Sequence, residues 1–201
     1  MGVRRSMDNG YESAEVCRTC GGACCKANGC CLAPEDMLRE LAEWQAGQEN
    51  GGEEWIDRDA GAEKRQSGHP QRELLERWLQ ASQCAIDSFA GQAGPCYYIR
   101  MRHKCFTFIG VDAMGECIAL TDQGCSLSYE RRPRGGRYLE GRQDRRCLQH
   151  YTREQMETDW RPYQQLLTEI WDQWHDRLER EGVFDRCEEE YMRWQRERRQ
   201  V

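Results

Sequence analysis

The stretch CRTCGGACCKANGCC, residues 17–31, decides how the rest of this chain is read. Six cysteines fall within fifteen residues, spaced C-x2-C-x3-C-C-x4-C-C. A two-residue gap lets a tight turn aim both sulfurs at one ion, while N–H groups of the turn point at the thiolates. Gly21 and Gly22, directly after Cys20, let the backbone bend back towards sulfur. Asn28-Gly29 is a turn signal that folds the strip upon itself and returns Cys30 and Cys31. Neighbouring side chains diverge in extended backbone, so the pairs Cys24-Cys25 and Cys30-Cys31 either serve two metals or divide between a ligand and a structural role.

The whole chain of 201 residues holds thirteen cysteines, with 38% hydrophobic and 32% charged residues. That composition supplies a thin apolar core for one domain, and the cysteines are the obvious supplement. Cysteines staple a chain through disulfides or through metal, according to redox compartment. The opening residues lack the apolar run of about 7–15 residues that a secretory signal needs, and no segment approaches the roughly 20 apolar residues of a membrane helix. A cytoplasmic protein with reduced thiols and no membrane contact is therefore expected, and the odd cysteine count points the same way. The net charge of −6 gives no reason to expect nucleic acid as a partner of the whole chain. Residues 35–63 are predominantly acidic, whereas 131–146 carry seven arginines against Glu140 and Asp144.

Residues 1–15 read as a mobile tail, and 16–201 as a single cysteine-cluster domain with a helical extension over about 152–201. A helix is expected from Pro34, with Leu38, Leu41 and Trp44 on one face, failing before Gly51-Gly52. Residues 46–70 read as a surface loop. The spacing of Leu75, Trp78, Leu79, Ile86 and Phe89 predicts a second helix over 71–89. From Tyr97 the period becomes two, with Ile99, Met101, His103 and Cys105 on one face of a strand and Arg100, Arg102 and Lys104 on the other. Two short arms, 117–120 and 125–127, form a hairpin through Thr121-Asp122-Gln123-Gly124. Thr152 with Gln155 suggests a capping box, and Met156, Trp160, Tyr163, Leu167, Ile170, Trp174 and Leu178 make an apolar stripe that Pro162 kinks. Phe184, Cys187, Tyr191 and Trp194 suggest one more helix. The expected fold is α+β and predominantly helical: an irregular cysteine-rich metal-binding core, a small strand and hairpin region, and a long C-terminal helical part. The cysteine strip is expected to dock on the hairpin.

Cys17-x2-Cys20, Gly21-Gly22 and Cys24-Cys25, followed by Cys117-Ile-Ala-Leu, Gly124-Cys125-Ser-Leu and Arg132-Pro133, resemble the YkgJ-like cysteine-cluster family of zinc- or iron-chelating proteins. The resemblance covers roughly residues 17–147 with a large dissimilar middle. It implies that Cys17, Cys20, Cys24, Cys25, Cys117 and Cys125 are metal ligands, with a further cysteine shortly after the Arg-Pro pair. Here Arg134, Gly135, Gly136 and Arg137 occupy that stretch instead. Cys147, Cys96, Cys105 or the pair Cys30-Cys31 is left to complete the site.

The candidate ligands are thus Cys17, Cys20, Cys24, Cys25, Cys30, Cys31, Cys105, Cys117, Cys125 and Cys147. His103-x-Cys105 and Cys147-x2-His150 are mixed pairs of ligating spacing, although both histidines also suit structural places. Cys84 and Cys187 lie in helical patterns and read as small buried hydrophobes. Soft sulfur favours Zn2+ or an Fe–S cluster, and the adjacent cysteines tilt the choice slightly towards iron. The arginine stretch either offsets the charge of an anionic thiolate centre or is a solvated loop. Three functions follow: a metal-binding protein acting in redox or maturation, or as an Fe–S-dependent oxidoreductase; a zinc-stabilised interaction module binding an anionic partner such as RNA through 131–146; and a thiol enzyme with a cysteine activated near arginine. The residues of no familiar catalytic class are present, and no protein partner is legible.

Overall fold

Pro34 opens the first helix, α1 (Pro34–Asn50), and Glu35 and Asp36 fill its first turn, where carboxylates meet the positive helix end. The computed structural model describes Thr19, Gly22, Cys25, residues 29–50, 70–102, 116–142, 144 and 147–182, with 185, 186, 189, 192, 193 and 196. The expected tail over 1–15, the middle of the expected loop, His103, Cys105 and the apolar residues of the last helix lie outside these. Helix α1 carries on through residues 46–50, so the expected loop begins later. Its inward face is also turned by one residue. Met37 is buried and Leu41 and Trp44 pack beside the core, while Leu38 is 49% exposed.

Helix α2 (Pro70–Ala81) buries Leu75, Trp78 and Leu79. It stops where Ser82 Oγ accepts the Cys84 N–H at 3.3 Å. The helix expected to reach residue 89 therefore ends early, and residues 84–91 form a strand. Strands β1 (Cys84–Gly91) and β2 (Gly94–Met101) pair antiparallel, Cys84 opposite Met101 and Gly91 opposite Gly94. Ile86 and Phe89 satisfy a helical spacing, but the pairing energy of β2, folded back across Gln92-Ala93, outweighs that local pattern. Two smaller hairpins follow. β3 (Leu120–Thr121) pairs β4 (Gly124–Cys125), as the sequence suggests, and β5 (Leu139–Glu140) pairs β6 (Leu148–Gln149).

The C-terminal part is helical. Thr152 accepts the Gln155 N–H while the Gln155 side chain returns to the Thr152 N–H, a complete capping box for α4 (Arg153–Trp160). Pro162 lies in a 3-10 turn (Arg161–Tyr163), after which α5 (Gln164–Arg180) runs on. Leu167, Ile170, Trp174 and Leu178 are buried on α5 at helical spacing, each aliphatic side chain contributing about 1.5–3 kcal/mol. The described residues beyond 182 are helical. The fold is thus α+β with helices dominant, and among the described residues no helix is long and apolar enough to cross a membrane.

The cysteine strip enters this frame along β2. Met101 N–H donates to Cys30 O at 2.9 Å, Leu32 N–H donates to Ile99 O at 2.8 Å, and Cys31 bridges Arg100 antiparallel. Both edges of β2 are consequently paired at this end, and Arg100, expected on a polar face, is only 4% exposed. Asp87 receives its guanidinium at 2.7 Å. Trp160 Nε1 donates to Leu32 O at 3.1 Å and ties the strip's end to α4.

Three arginines of the basic stretch are engaged by carboxylates of the helices. Arg131 pairs with Glu40 and Glu43, Arg134 with Glu35 and Asp159, and Arg137 with Asp36. Asp36, 1% exposed, accepts the Ala33 N–H at 3.1 Å, the Arg134 N–H at 2.6 Å and the Arg137 guanidinium at 3.0 Å. Removing the carboxylate takes a buried ion-pair partner from Arg137 and Arg39 and the acceptor from two N–H groups. Asp36→Ala is expected to lower stability by about 3–5 kcal/mol, read as a fall in the urea midpoint; a change below about 0.5 kcal/mol would show that the carboxylate holds nothing together.

Candidate metal centre

Two remote segments meet at the cysteines. The Cys117 N–H donates to Cys25 O at 2.8 Å, and the Ile118 N–H donates to Arg102 O at 2.8 Å, which seats the middle hairpin against both the strip and the end of β2. Cys117 is buried, and its sulfur accepts backbone N–H groups from Ala119 and Cys30. Such N–H groups are what a thiolate ligand requires of its surroundings. Cys125, opposite Leu120 in the hairpin, lies close enough to Cys117 to act on it electrostatically. Gly22 reaches the same hairpin: at its φ of 67° a Cβ would stand 2.6 Å from Leu120 Cδ1. Gly22 and Cys25, described residues of the strip, thus lie against Leu120 and Cys117 of the middle hairpin region.

Cys30 and Cys31 face a second backbone approach. In the turn α3 (Arg134–Arg137), a Cβ on Gly135 would overlap Cys31 Sγ, and one on Gly136 would stand 3.1 Å from Cys30 Sγ. The Gly135 N–H donates to Cys31 O at 3.0 Å. The glycines that replace the expected cysteine after Arg132-Pro133 thus bring backbone onto the Cys30-Cys31 pair. Cys147 stands just before β6, half-buried, and is not among the cysteines packed on the core. Cys17, Cys20, Cys24 and Cys105 lie outside the described residues. His150 Nε2 is 2.8 Å from Glu140 Oε2, which gives this histidine a structural partner.

Every described cysteine is a free thiol. Burial pushes Cys31 up to about 11, against the opposing pull of its own backbone N–H and of Arg100. Burial pushes Cys84 up to about 12 and raises Cys117, where the N–H groups of Ala119 and Cys30 work in the opposite direction. These thiols are therefore protonated near neutral pH unless a cation binds and replaces the proton. Cys84 begins β1 rather than lying in a helix, and it is buried as expected. Arg100 is a functional candidate that pattern reading misses: it is the buried cation that lowers the pKa of both Cys31 and Cys117.

Soft donors, thiolate-directed N–H groups and glycine cradles fit a thiophilic metal or cluster. Among the described residues, the three ligating side chains whose donor atoms all lie within 4.8 Å of one another are not cysteines but His175, Asp176 and Glu179 on α5. Their i, i+1, i+4 spacing is the signal that could have found them, and two of the three are exposed on a helix surface. No family model, curated protein or solved structure matches the chain.

The glycine approach to the strip is directly testable. Gly135→Ala is expected to destabilise the protein by about 1–3 kcal/mol through overpacking. Gly47→Ala, in α1 with nothing within 4 Å of the added carbon, is expected to stabilise it, by about 0.5–1 kcal/mol. Thermal melts of the two variants should move in opposite directions.

Proposed function

We propose that this chain is a cysteine-thiolate metal-binding protein of the reducing cytoplasm, holding an Fe–S cluster or Zn2+, with iron slightly favoured. The observation that carries the reading is the approach of Cys25 and Cys30 to Cys117, through the Cys25–Cys117 backbone bond and the Cys30 N–H on the Cys117 sulfur, with Cys125 near enough to act on Cys117 electrostatically. Cys17, Cys20 and Cys24 precede Cys25 within eight residues, so a short strip can complete the donor set. Of these residues the resemblance to the YkgJ-like family implies Cys17, Cys20, Cys24, Cys25, Cys117 and Cys125, and it leaves Cys30 as one alternative for the last place. A bound cluster would supply electron transfer, and a bound zinc ion would supply structural cross-linking or Lewis acidity.

The chain's own residues have definable tasks around such a group. The N–H groups of Ala119 and Cys30 stabilise charge on the Cys117 sulfur. Arg100, held by Asp87, offsets thiolate charge. The glycine turn closes over Cys30 and Cys31. An RNA-binding module built on residues 131–146 is less well supported, because Arg131, Arg134 and Arg137 already spend their charge on carboxylates of α1 and α4.

Elemental analysis and an optical spectrum of anaerobically purified protein test the reading. Cys20→Ser and Cys125→Ser should each lower metal content and thermal stability together; unchanged metal in both variants would count against a shared site. Since burial raises the Cys117 pKa, protons compete with metal at a higher pH than for a free thiol, so metal should be released as pH falls below neutral. Metal content that stays constant down to acid pH would place the ion on other donors.

A further inference from the structure

Beside the sulfurs opens a cleft of about 960 Å³, which shares the strip and Arg100 with the metal-binding reading and extends beyond them to Phe89, Tyr98 and Arg153. One wall is the strip at Cys25, Cys30 and Cys31. The β1–β2 face presents a preorganised polar group: Asp87 accepts the Arg100 guanidinium at 2.7 Å and the Tyr98 hydroxyl at 3.0 Å. Arg100 is 4% exposed, so this group is built into the structure rather than adsorbed on its surface. Opposite stands the start of α4. Arg153 lies in its first turn, where a cation opposes the helix dipole, and its guanidinium carbon stands 5.6 Å over the Phe89 ring. Its charge is felt by the neighbouring exposed carboxylate of Glu154, whose pKa it helps to lower.

The lining decides what class of ligand would be accepted. Two guanidiniums face one carboxylate, so the wall carries a positive excess. Arg100 is shared between Asp87 and the sulfurs, which leaves the charge of a ligand mainly to Arg153. The Phe89 and Tyr98 rings stand 5.8 Å apart at 54°, beside Met156 and Tyr151, and offer flat apolar faces. An inorganic anion would fill a small part of this space. Small-molecule sites of about 300–1,000 Å³ combine such faces with a few placed charges.

We propose that this cleft takes a small organic anion with a flat ring, its carboxylate or phosphate held by Arg153 and its ring laid against Phe89 and Tyr98 beside Cys30 and Cys31. The proposal rests on the metal-binding reading only for what the ligand meets at the sulfurs; occupancy of the cleft itself needs no metal.

Calorimetric titration of the full chain with salicylate, adenosine monophosphate and inorganic phosphate tests it. One ring-bearing anion should bind at least about tenfold more tightly than inorganic phosphate. The better of the two tells a carboxylate source from a phosphate source. Arg153→Glu should weaken that binding at least about tenfold, and Phe89→Leu should weaken it severalfold. Arg161→Glu, at an exposed position outside the lining, should leave it unchanged. Circular dichroism establishes that each variant is folded. Failure of both ring-bearing anions to bind, equal binding of inorganic phosphate, or binding indifferent to Arg153 would each overturn the proposal. Iron and zinc measured on the same samples separate the two readings: ring-anion binding by a metal-free protein would sink the metal centre and leave the cleft standing.

Discussion

A single buried carboxylate holds the architecture in register. Asp36 is almost without solvent, and a lone charge in that position would cost several kcal/mol. It is sustained because the Ala33 and Arg134 N–H groups and the Arg137 guanidinium converge on it. In satisfying Asp36, the chain brings residues 133–137 to the start of α1, and that placement lays Gly135 and Gly136 on Cys30 and Cys31. The acidic and basic segments, about a hundred residues apart in sequence, are complementary halves of one contact. Read separately, their local charge excesses suggest surfaces for external partners; in the fold, Glu35, Asp36, Glu40 and Glu43 pair with Arg131, Arg134 and Arg137.

Much of the fold is legible in the sequence where a single periodicity dominates. The stripe from Met156 to Leu178, the capping box at Thr152 and the start of α1 at Pro34 all stand where local chemistry places them. Residues 84–91 are not legible in this way. Ile86 and Phe89 are three apart and serve helix or strand equally, and only the return of β2 across Gln92-Ala93 settles the matter. The inward face of α1 is misread for a related reason. Leu38 outranks Met37 in hydrophobicity, but the capture of Asp36 sets the helix rotation and turns Met37 to the core.

The cysteines of the candidate centre stand out in the sequence, and what surrounds them does not. Cysteine spacing identifies the strip and the hairpin, and the meeting of Cys25 with Cys117 follows from that reading. Nothing in spacing reveals that Arg100 is buried within electrostatic reach of Cys31 and Cys117, because an arginine alternating with Ile99 and Met101 reads as a solvent-facing residue. It is buried because residues 30–32 cover β2 as a further paired segment, an event that depends on long-range pairing. The role of Gly135-Gly136 is hidden likewise, since a glycine pair in an arginine-rich run signals a loop until the neighbouring sulfurs are seen.

The bond from Trp160 to the carbonyl of Leu32 joins positions 128 residues apart. On a ribosome adding about 5–20 residues per second, the early thiols emerge roughly ten seconds before the indole that latches them in place. During that interval the strip is an unprotected nascent segment, exposed to oxidants and to adventitious cations. The latch on the strip's end therefore forms only after residue 160 has been made, and until then the early thiols rely on their surroundings to stay reduced.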